Sequence, residues 1–324
     1  MKGQNDGGTQ VEVTCPVCRG SDVGRMQSHQ VAEPPYTFTL YACHSCGVQH
    51  WSPLVHPGPA FYEGEKVLMY RELHEGGKSA NDPRFARFFA EFGHLQGVKA
   101  LDIGCSDGAF LAQMAERRND VWGIDIDQKA LQIARARGLR NVASADIGGF
   151  IENARAKGLT FDVVTAFDVI EHLTDPVGTL RELRSILAPN GVLVGTLPNR
   201  NRLLVNQMPI DFPPHHFFRY DRPSLETTLV RGGMVPLRID VFQYNYSTMT
   251  AVDYVVKAVK RLRGRSNAAQ VGAPAVKGTA ARWSRANLGR VLGRLTTPLS
   301  FALERPGKRG FKLYFVARAD RASQ

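Results

Sequence analysis

Long apolar runs are absent from this chain of 324 residues. No stretch approaches the roughly 18 consecutive apolar residues that a membrane-spanning helix needs. The start of the chain, MKGQNDGGTQ, is polar and rich in glycine, and it lacks the apolar stretch of a secretion signal. We therefore expect a cytoplasmic protein whose apolar residues form the core of a globular fold.

Cysteine is scarce outside one short region. Four of the five cysteines form two Cys-x-x-Cys pairs, Cys15 with Cys18 and Cys43 with Cys46. In a chain without a secretion signal, this spacing indicates a metal site rather than disulfides. Four thiolates suit tetrahedral Zn²⁺ and leave no open position, so we expect a structural zinc. A thiol redox pair is the alternative, but nothing thioredoxin-like surrounds these cysteines.

Acidic residues are scarce in the last part of the chain. From Ala251 onward there are 16 Lys and Arg against 3 Asp and Glu, whereas the rest of the chain has 25 against 27. The excess of positive charge therefore belongs to a basic insertion at about 248–308, where cationic residues alternate with Val, Leu, Trp and Phe at helical spacing.

Three interpretations of the basic insertion remain open. It can be a peripheral contact with an anionic membrane, or a surface for the phosphate groups of RNA or of a nucleotide-sugar. It can also be a helical lid whose charges are only solvated, and we favour this interpretation. The amphipathic pattern has no interleaved stacking aromatics, so a membrane contact is favoured over nucleic acid.

The remaining pattern divides the chain into segments. We expect a disordered tail at 1–12, the cysteine unit at 13–53, and a linker with helices at 54–97, including a helix over 82–92 that Asp82 caps. From residue 98 to 324, short strands alternate with helices, which predicts a doubly wound, mostly parallel α/β sheet. Within it we expect a helix over 177–191 and the fifth strand over 191–199.

Acidic residues and glycines follow the first three strands of this sheet. The first strand ends in LDIGCSDGAF, with Asp102, Gly104 and Gly108; the second ends at Asp125 and the third at Asp146. Strand ends of one parallel sheet share an edge, so these groups are expected at one crevice. Glycines before a helix start permit close backbone approach to an anionic group, and a carboxylate at the second strand end suits a ribose diol.

These motifs resemble the class I S-adenosylmethionine-dependent methyltransferases from about residue 98 to 191 and again in the tail. The resemblance implies a seven-stranded Rossmann-like sheet whose last strand is antiparallel. It implies that the glycine loop holds the methionine part of S-adenosyl-L-methionine, Asp125 the ribose and Asp146 the adenine amine, between Ile126 and Ile147. The full cofactor-binding set is Asp102, Gly104, Cys105, Ser106, Gly108, Asp125, Ile126, Asp146, Ile147 and Asp168. Ser106 stands where the family usually has the middle glycine of G-x-G-x-G.

The fourth strand ends in FDVVTAFDVIEHLTDP. Asp168, Glu171 and His172 are similar in spacing to an acid followed by Glu-His in the quinone-biosynthesis O-methyltransferases. That likeness implies a divalent cation near these three residues, or a general base at His172, whose ordinary pKa is near neutral. The alternative is that Glu171 and His172 only shape the pocket. The Asn/Asp-Pro-Pro-Tyr motif of enzymes that methylate base amines is absent, which counts against base methylation.

Two adjacent histidines lie in DFPPHHFFRYDRPSL. Zinc-ribbon methyltransferases of bacterial saccharide and natural-product pathways carry a similar Pro-Pro-x-His, which implies that His216 faces the acceptor. Neighbouring side chains in an extended segment point apart. We therefore expect His215 to point outward or bond the backbone, and we expect no metal bound by the pair.

Together these features predict a zinc-ribbon methyltransferase that uses S-adenosyl-L-methionine. We expect O-methylation of a small-molecule or saccharide precursor, with His216, His172 and Glu171 as catalytic residues. The alternatives are an RNA methyltransferase that binds RNA through the ribbon and the basic insertion, and a non-catalytic module that only binds the cofactor.

Overall fold

A computed structural model describes residues 13–32, 35–64, 68–76, 82–202, 209–242 and 311–321. The predicted tail at 1–12 and the basic insertion at about 248–308 both lie outside these ranges. The N-terminal part contains β1 (Val23–Val31), β2 (Tyr36–Cys43), β3 (Gln49–Ser52), α1 (Pro59–Glu63), α2 (Leu68–Gly76) and α3 (Pro83–Phe92). Among the described helices, none has the length and apolar character that crossing a membrane requires.

The second part of the chain alternates strands and helices. Its strands are β4 (Lys99–Ile103), β5 (Asp120–Asp125), β6 (Val142–Ser144), β7 (Phe161–Phe167), β8 (Leu187–Pro198), β9 (Phe218–Arg219), β10 (Met234–Phe242) and β11 (Lys312–Ala319). Its helices are α4 (Ala109–Glu116), α5 (Gln128–Ala136), α6 (Ile147–Ala156), α7 (Pro176–Arg184) and α8 (Arg222–Arg231).

The predicted sheet is confirmed. Seven strands lie in the order β10-β11-β8-β7-β4-β5-β6, and β11 runs antiparallel to both of its neighbours. The central strand β7 is buried on both faces because helices cover both sides of a parallel sheet, which explains its run of Val163, Val164 and other apolar residues. The carboxyl ends of β4, β5, β6 and β7 therefore meet along one edge, where the order of the strands reverses.

One predicted boundary is wrong. The helix expected over 177–191 ends at Arg184, and β8 begins at Leu187, four residues before the expected strand. Leu187 pairs with Phe161 of β7, and the Phe161 N–H donates to the carbonyl of Ile186 at 2.8 Å. Pairing with the neighbouring strand thus outweighs the local helix preference of this leucine- and alanine-containing stretch.

The N-terminal strands form a second sheet with a strand from the C-terminal part. Its order is β1-β2-β3-β9, and in the last pair His50 lies opposite Phe218. The Trp51 N–H also donates to the carbonyl of Phe217 at 2.9 Å. The segment that contains the two adjacent histidines is therefore hydrogen-bonded directly to the unit that contains the four cysteines.

Candidate active site

A cavity of about 770 Å³ opens at the carboxyl ends of the parallel strands. This volume lies within the range of small-molecule sites. Its walls come from the glycine-containing loop after β4, the ends of β5 to β8, the N-terminal helices and the segment at 210–216. One continuous space thus borders both the predicted cofactor loop and the predicted acceptor residues.

The loop after β4 is held in its shape by the neighbouring strand. The Gly104 N–H donates to the carbonyl of Ile124, and the Ser106 N–H donates to Asp125 Oδ2 at 2.8 Å. Ser106 has a positive φ of 53°, a conformation that favours glycine. This conformation explains why a glycine is usual at this position, and a serine adopts it here.

Asp125 is oriented at the end of β5 by two backbone groups. Its second oxygen, Oδ1, accepts from the N–H of Asp127 at 2.8 Å. Asp127 in turn caps α5 and contacts Nε2 of His74 at 2.7 Å. The carboxylate of Asp125 is thus held in a fixed orientation at the cavity wall.

The structure separates the remaining predicted cofactor residues into two groups. Ile126, Asp146, Ile147 and Asp168 line the cavity with Gly104, Ser106 and Asp125. Asp146 is also the cap of α6, because its Oδ1 accepts from the N–H of Gly149 at 2.8 Å. Asp102, Cys105 and Gly108 lie behind the wall: the Asp102 carboxylate accepts from the Thr165 hydroxyl at 2.6 Å, and Cys105 is buried in the core.

Asp168 is held by two cations that the sequence motifs did not include. Its Oδ2 contacts Lys312 Nζ at 2.5 Å and an Arg84 nitrogen at 2.9 Å, and its Oδ1 accepts from the Thr196 hydroxyl. Burial alone would raise the pKa of Asp168, but the charges of Lys312 and Arg84 outweigh it and hold the pKa below its ordinary value. Asp168 is therefore ionised and paired, and its two ion pairs connect the end of β7 to α3 and β11.

The divalent cation expected at Asp168, Glu171 and His172 stays a prediction, and the two cations that pair with Asp168 count against it. A cation beside Asp168 would be repelled by Lys312 and Arg84. Among the described residues, two sets of possible ligands come close enough to share an ion: the four cysteines, and His172 with His215 and His216. Asp168 and Glu171 belong to neither set.

Glu171 lies in the short 3₁₀ turn after β7 and is 1% exposed. Neither carboxylate oxygen has a hydrogen-bond partner among the described residues, and Oε1 lies 4.0 Å from His216 Nε2. Burial, together with the negative charge of Asp168, raises the pKa of Glu171 well above its ordinary value. A buried carboxyl without partners at a cavity wall is costly, which is typical of a functional group.

Three imidazoles meet beside Glu171. Ring centroids lie 4.7 Å apart for His172 and His215, 4.7 Å for His172 and His216, and 4.9 Å for His215 and His216. His172 Nδ1 donates to the carbonyl of His215 at 2.6 Å. Burial and the neighbouring His216 lower the pKa of His172 to about 3, and burial also lowers the pKa of the other two. All three imidazoles are therefore neutral at neutral pH.

The expected outward orientation of His215 is wrong. Both His215 and His216 are 5% exposed and line the cavity. The segment is not extended, because the N–H groups of both histidines donate to the carbonyl of Phe212 in a tight turn. A turn brings neighbouring side chains to the same side, so the alternation of a strand does not apply.

An aromatic wall faces the imidazoles from the N-terminal helices. The Tyr70 hydroxyl and His215 Nε2 are hydrogen-bonded at 2.6 Å, and the two rings are stacked with an interplanar angle of 6°. Tyr62 packs edge-on to Tyr70 and lies 6.4 Å from the His172 ring. The end of the cavity that contains the predicted acceptor residues is thus aromatic, and residues that precede the parallel sheet line it.

The four cysteines form a compact set in the N-terminal unit. The Sγ atoms of Cys15 and Cys46 are 3.6 Å apart, and those of Cys18 and Cys43 are 3.5 Å apart. Four sulfurs at 2.3 Å from one zinc ion lie about 3.8 Å from each other. The hydrogen bond between Cys15 and Cys46 lowers the pKa of Cys15 and raises that of Cys46, so the two thiols share one proton. The donor set and its spacing therefore fit a zinc ion.

Sequence motifs missed Arg84, Lys312, Tyr70 and His74. Lys312 carries a usable signal, since it is a lysine inside the apolar stretch GFKLYFVARA and is 5% exposed; a buried lysine needs a carboxylate partner. Tyr70 and His74, both in α2, lie in a stretch without a recognisable motif.

Comparison with known proteins gives one family match. The model of a family described as "Methyltransferase domain" matches residues 74–234. Curated relatives include ubiquinone biosynthesis O-methyltransferases. That of Bordetella avium is 28% identical over 187 residues, which is 52% of this chain and 78% of the relative. That of Stutzerimonas stutzeri is 27% identical over 211 residues, with coverage of 59% and 88%.

Solved structures also align with this chain. A SAM-dependent methyltransferase from Archaeoglobus fulgidus aligns with a TM-score of 0.48 and 20% identity, and the alignment covers 78% of this chain and 99% of that one.

Proposed function

We propose that this chain, which is a class I S-adenosylmethionine-dependent methyltransferase, transfers the methyl group to a hydroxyl oxygen of a small organic acceptor. The observation that carries the proposal is the meeting of His172, His216 and Glu171 at the far end of the cavity whose near end is the cofactor loop. Relatives named O-methyltransferases support oxygen as the receiving atom.

The cofactor end of the cavity suits S-adenosyl-L-methionine. We propose that the backbone at Gly104 and Ser106 lies along its methionine part, that Asp125 accepts from the ribose hydroxyls, and that Asp146 accepts from the adenine amine. Ile126 and Ile147 supply apolar walls for the adenine ring. Asp102, Cys105 and Gly108 would support the loop from behind, since they do not line the cavity.

Methyl transfer asks the protein mainly to align two reactants and to remove a proton. The acceptor loses its O–H proton, its oxygen forms a bond to the methyl carbon, and the C–S bond breaks with its electron pair going to sulfur. Alignment in a closed site supplies a large part of such rate enhancements. We propose that the cluster of His172, His216 and Glu171 activates the hydroxyl. The raised pKa of Glu171 makes its carboxylate the stronger proton acceptor of the cluster, and the neutral imidazoles can accept a hydrogen bond from the hydroxyl.

The aromatic wall of the acceptor end favours an acceptor with a ring that can pack against it, such as a phenol or a saccharide unit. We further propose that the four cysteines hold a structural Zn²⁺, which would cross-link the N-terminal strands and supply no chemistry. A contact of the basic insertion with anionic membrane or phosphate groups stays a proposal, since that segment lies outside the described residues.

A turnover assay tests the proposal. S-Adenosylhomocysteine release is measured with phenols, free and nucleotide-linked sugars, lipid-linked sugars and RNA, and mass spectrometry locates the new methyl group. We expect methylated oxygen on a small acceptor. Transfer to RNA alone would establish the alternative function instead.

The variant His216→Ala should lose turnover and keep its affinity for S-adenosyl-L-methionine within about twofold, because the residue lies at the acceptor end. His94→Ala is the control, since His94 is exposed beyond the end of α3 and should be as active as the wild type. Full activity in His216→Ala would exclude this cluster from acceptor activation.

A further inference from the structure

We infer that His172, His215 and His216 form a binding site for a divalent transition-metal ion at the acceptor end of the cavity. One ligand atom from each residue lies within 4.8 Å of those from the other two. Three imidazole nitrogens around one zinc ion are about 3.4 Å apart, at Zn–N distances of 2.0–2.1 Å. Small rotations of the rings would bring the nitrogens to that separation.

Each histidine already has one ring nitrogen directed at an oxygen. His172 Nδ1 donates to the His215 carbonyl at 2.6 Å, and His215 Nε2 contacts the Tyr70 hydroxyl at 2.6 Å. His216 Nδ1 lies 3.7 Å from Asp211 Oδ1. Metal-binding histidines show this pattern, in which the nitrogen that does not bind the ion donates to a carbonyl, hydroxyl or carboxylate.

One ring nitrogen of the cluster is buried and lacks a protein partner that would explain its burial. His215 Nδ1 is buried without a hydrogen-bond partner among the described residues. His216 Nε2 lies 4.0 Å from Glu171 Oε1, and both oxygens of that glutamate are also without partners. A cation at the centre of the three rings would bind His215 Nδ1, and its charge would favour the ionised form of the nearby Glu171.

The ligand set indicates which ion would bind. Imidazole nitrogens suit Zn²⁺, Fe²⁺, Cu²⁺ and Ni²⁺, whereas Mg²⁺ and Ca²⁺ prefer oxygen. Three histidines leave an open position, as in catalytic sites, so an oxygen of the acceptor can approach the ion. The site shares His172 with the Asp168, Glu171 and His172 set but does not use Asp168, which Lys312 and Arg84 already pair. Only the role of the ion rests on the proposed function; its binding does not.

Metal content provides the first test. The full-length protein is stripped with a chelator, loaded with Zn²⁺, desalted and analysed by mass spectrometry of the metal. We expect His172→Ala and the double variant His215→Ala/His216→Ala each to hold about one equivalent less than the wild type, since the four-cysteine site remains. His56→Ala removes another cavity histidine and should keep the wild-type metal content.

Cobalt distinguishes the two sites directly. Co²⁺ bound by thiolates gives sulfur-to-metal charge-transfer absorption, and Co²⁺ bound by imidazoles gives only the weaker ligand-field bands. The histidine variants should lose ligand-field intensity and keep the charge-transfer band. Unchanged affinity for S-adenosyl-L-methionine shows that the variants are folded.

Equal metal content and identical cobalt spectra in the wild type and the histidine variants would overturn the inference. The proposed methyl transfer would survive that outcome, with the imidazoles acting on the acceptor directly. Metal binding without transfer to any hydroxyl acceptor would overturn the proposed function alone.

Discussion

The backbone N–H of Trp51 donates to the carbonyl oxygen of Phe217 at 2.9 Å, so the cysteine unit and the histidine segment form one hydrogen-bonded sheet. Arg200 strengthens the junction, because it bonds both the carbonyl of Gly47, next to Cys46, and the carboxylate of Asp221. A substitution in the cysteine unit should therefore alter the positions of His215 and His216 more than it alters the cofactor loop.

Replacing a cysteine tests this connection. In Cys46→Ser we expect kcat to fall at least about tenfold, equivalent to 1.4 kcal/mol, because His215 and His216 lose their positioning. The dissociation constant for S-adenosyl-L-methionine, measured by calorimetry, should stay within about twofold. Ser45→Ala changes an exposed neighbour in the same loop and should behave as the wild type. An equal loss of cofactor affinity in Cys46→Ser would instead indicate a general role in folding.

Asp125 is predicted to dominate cofactor affinity. Asp125→Ala removes a charged acceptor for the ribose and also the partner of the Ser106 and Asp127 N–H groups. Hydrogen bonds to charged groups contribute about 1.5–3 kcal/mol, so the dissociation constant should rise about ten- to a hundredfold. Glu152→Gln, on the exposed face of α6, is the control. Wild-type affinity in Asp125→Ala would place the ribose elsewhere.

Tyr70 is expected to act as a positioning residue for His215. Tyr70→Phe keeps the stacked ring and removes the hydroxyl that contacts His215 Nε2. Leaving this buried nitrogen without a partner costs about 1–3 kcal/mol. We expect kcat to fall about tenfold while cofactor affinity is unchanged. Tyr36→Phe removes an exposed hydroxyl on the cysteine unit and should leave kcat unaltered. A change confined to KM would assign Tyr70 to acceptor binding instead.

Substitutions of Gly108 and Gly138 can be compared to test how the space around each glycine affects stability. Both have a positive φ, but a Cβ on Gly108 would lie 2.3 Å from the Leu139 side chain, whereas a Cβ on Gly138 would meet nothing within 4 Å. The left-handed conformation alone costs about 1–2 kcal/mol for a non-glycine residue, and overpacking adds about 1–3 kcal/mol. Urea denaturation should show Gly108→Ala to be destabilised more than Gly138→Ala. Equal losses would show that Leu139 moves aside freely.

Asp168 and Lys312 should stabilise the fold in a manner that depends on pH. Because the pKa of Asp168 is lower in the folded chain than its unfolded value of about 3.9, the contribution is complete above pH 4. It is lost as the pH falls through the folded pKa. We expect Lys312→Met to reduce the free energy of unfolding by about 2–3 kcal/mol at pH 7, since Arg84 remains as a partner. The difference from the wild type should shrink below pH 4, as urea denaturation at several pH values can measure. A difference that grows under acid would contradict the assignment.

The sequence alone predicted the parallel sheet, the position of acidic residues along one of its edges, and the clustering of the four cysteines. Alternating apolar patterns specify strands and helices locally, and strand ends in a parallel sheet share an edge by geometry. The pattern therefore predicts that Ser106, Asp125 and Asp146 lie at one crevice, and all three line the cavity. The boundary between α7 and β8 was wrong because Leu187 is drawn into a strand by pairing with Phe161, which no local pattern reports.

Only the tertiary structure decided how the acceptor end is built. Tyr70 reaches His215 across 145 positions of the chain, and Lys312 reaches Asp168 across 144. Such contacts depend on how separate elements pack, not on periodicity within one element. The turn at Phe212 likewise directs His215 and His216 to the same side, where the sequence favoured opposite sides. Local patterns thus determined the fold and the cofactor edge, and long-range packing determined the cluster of three histidines and its unpartnered glutamate.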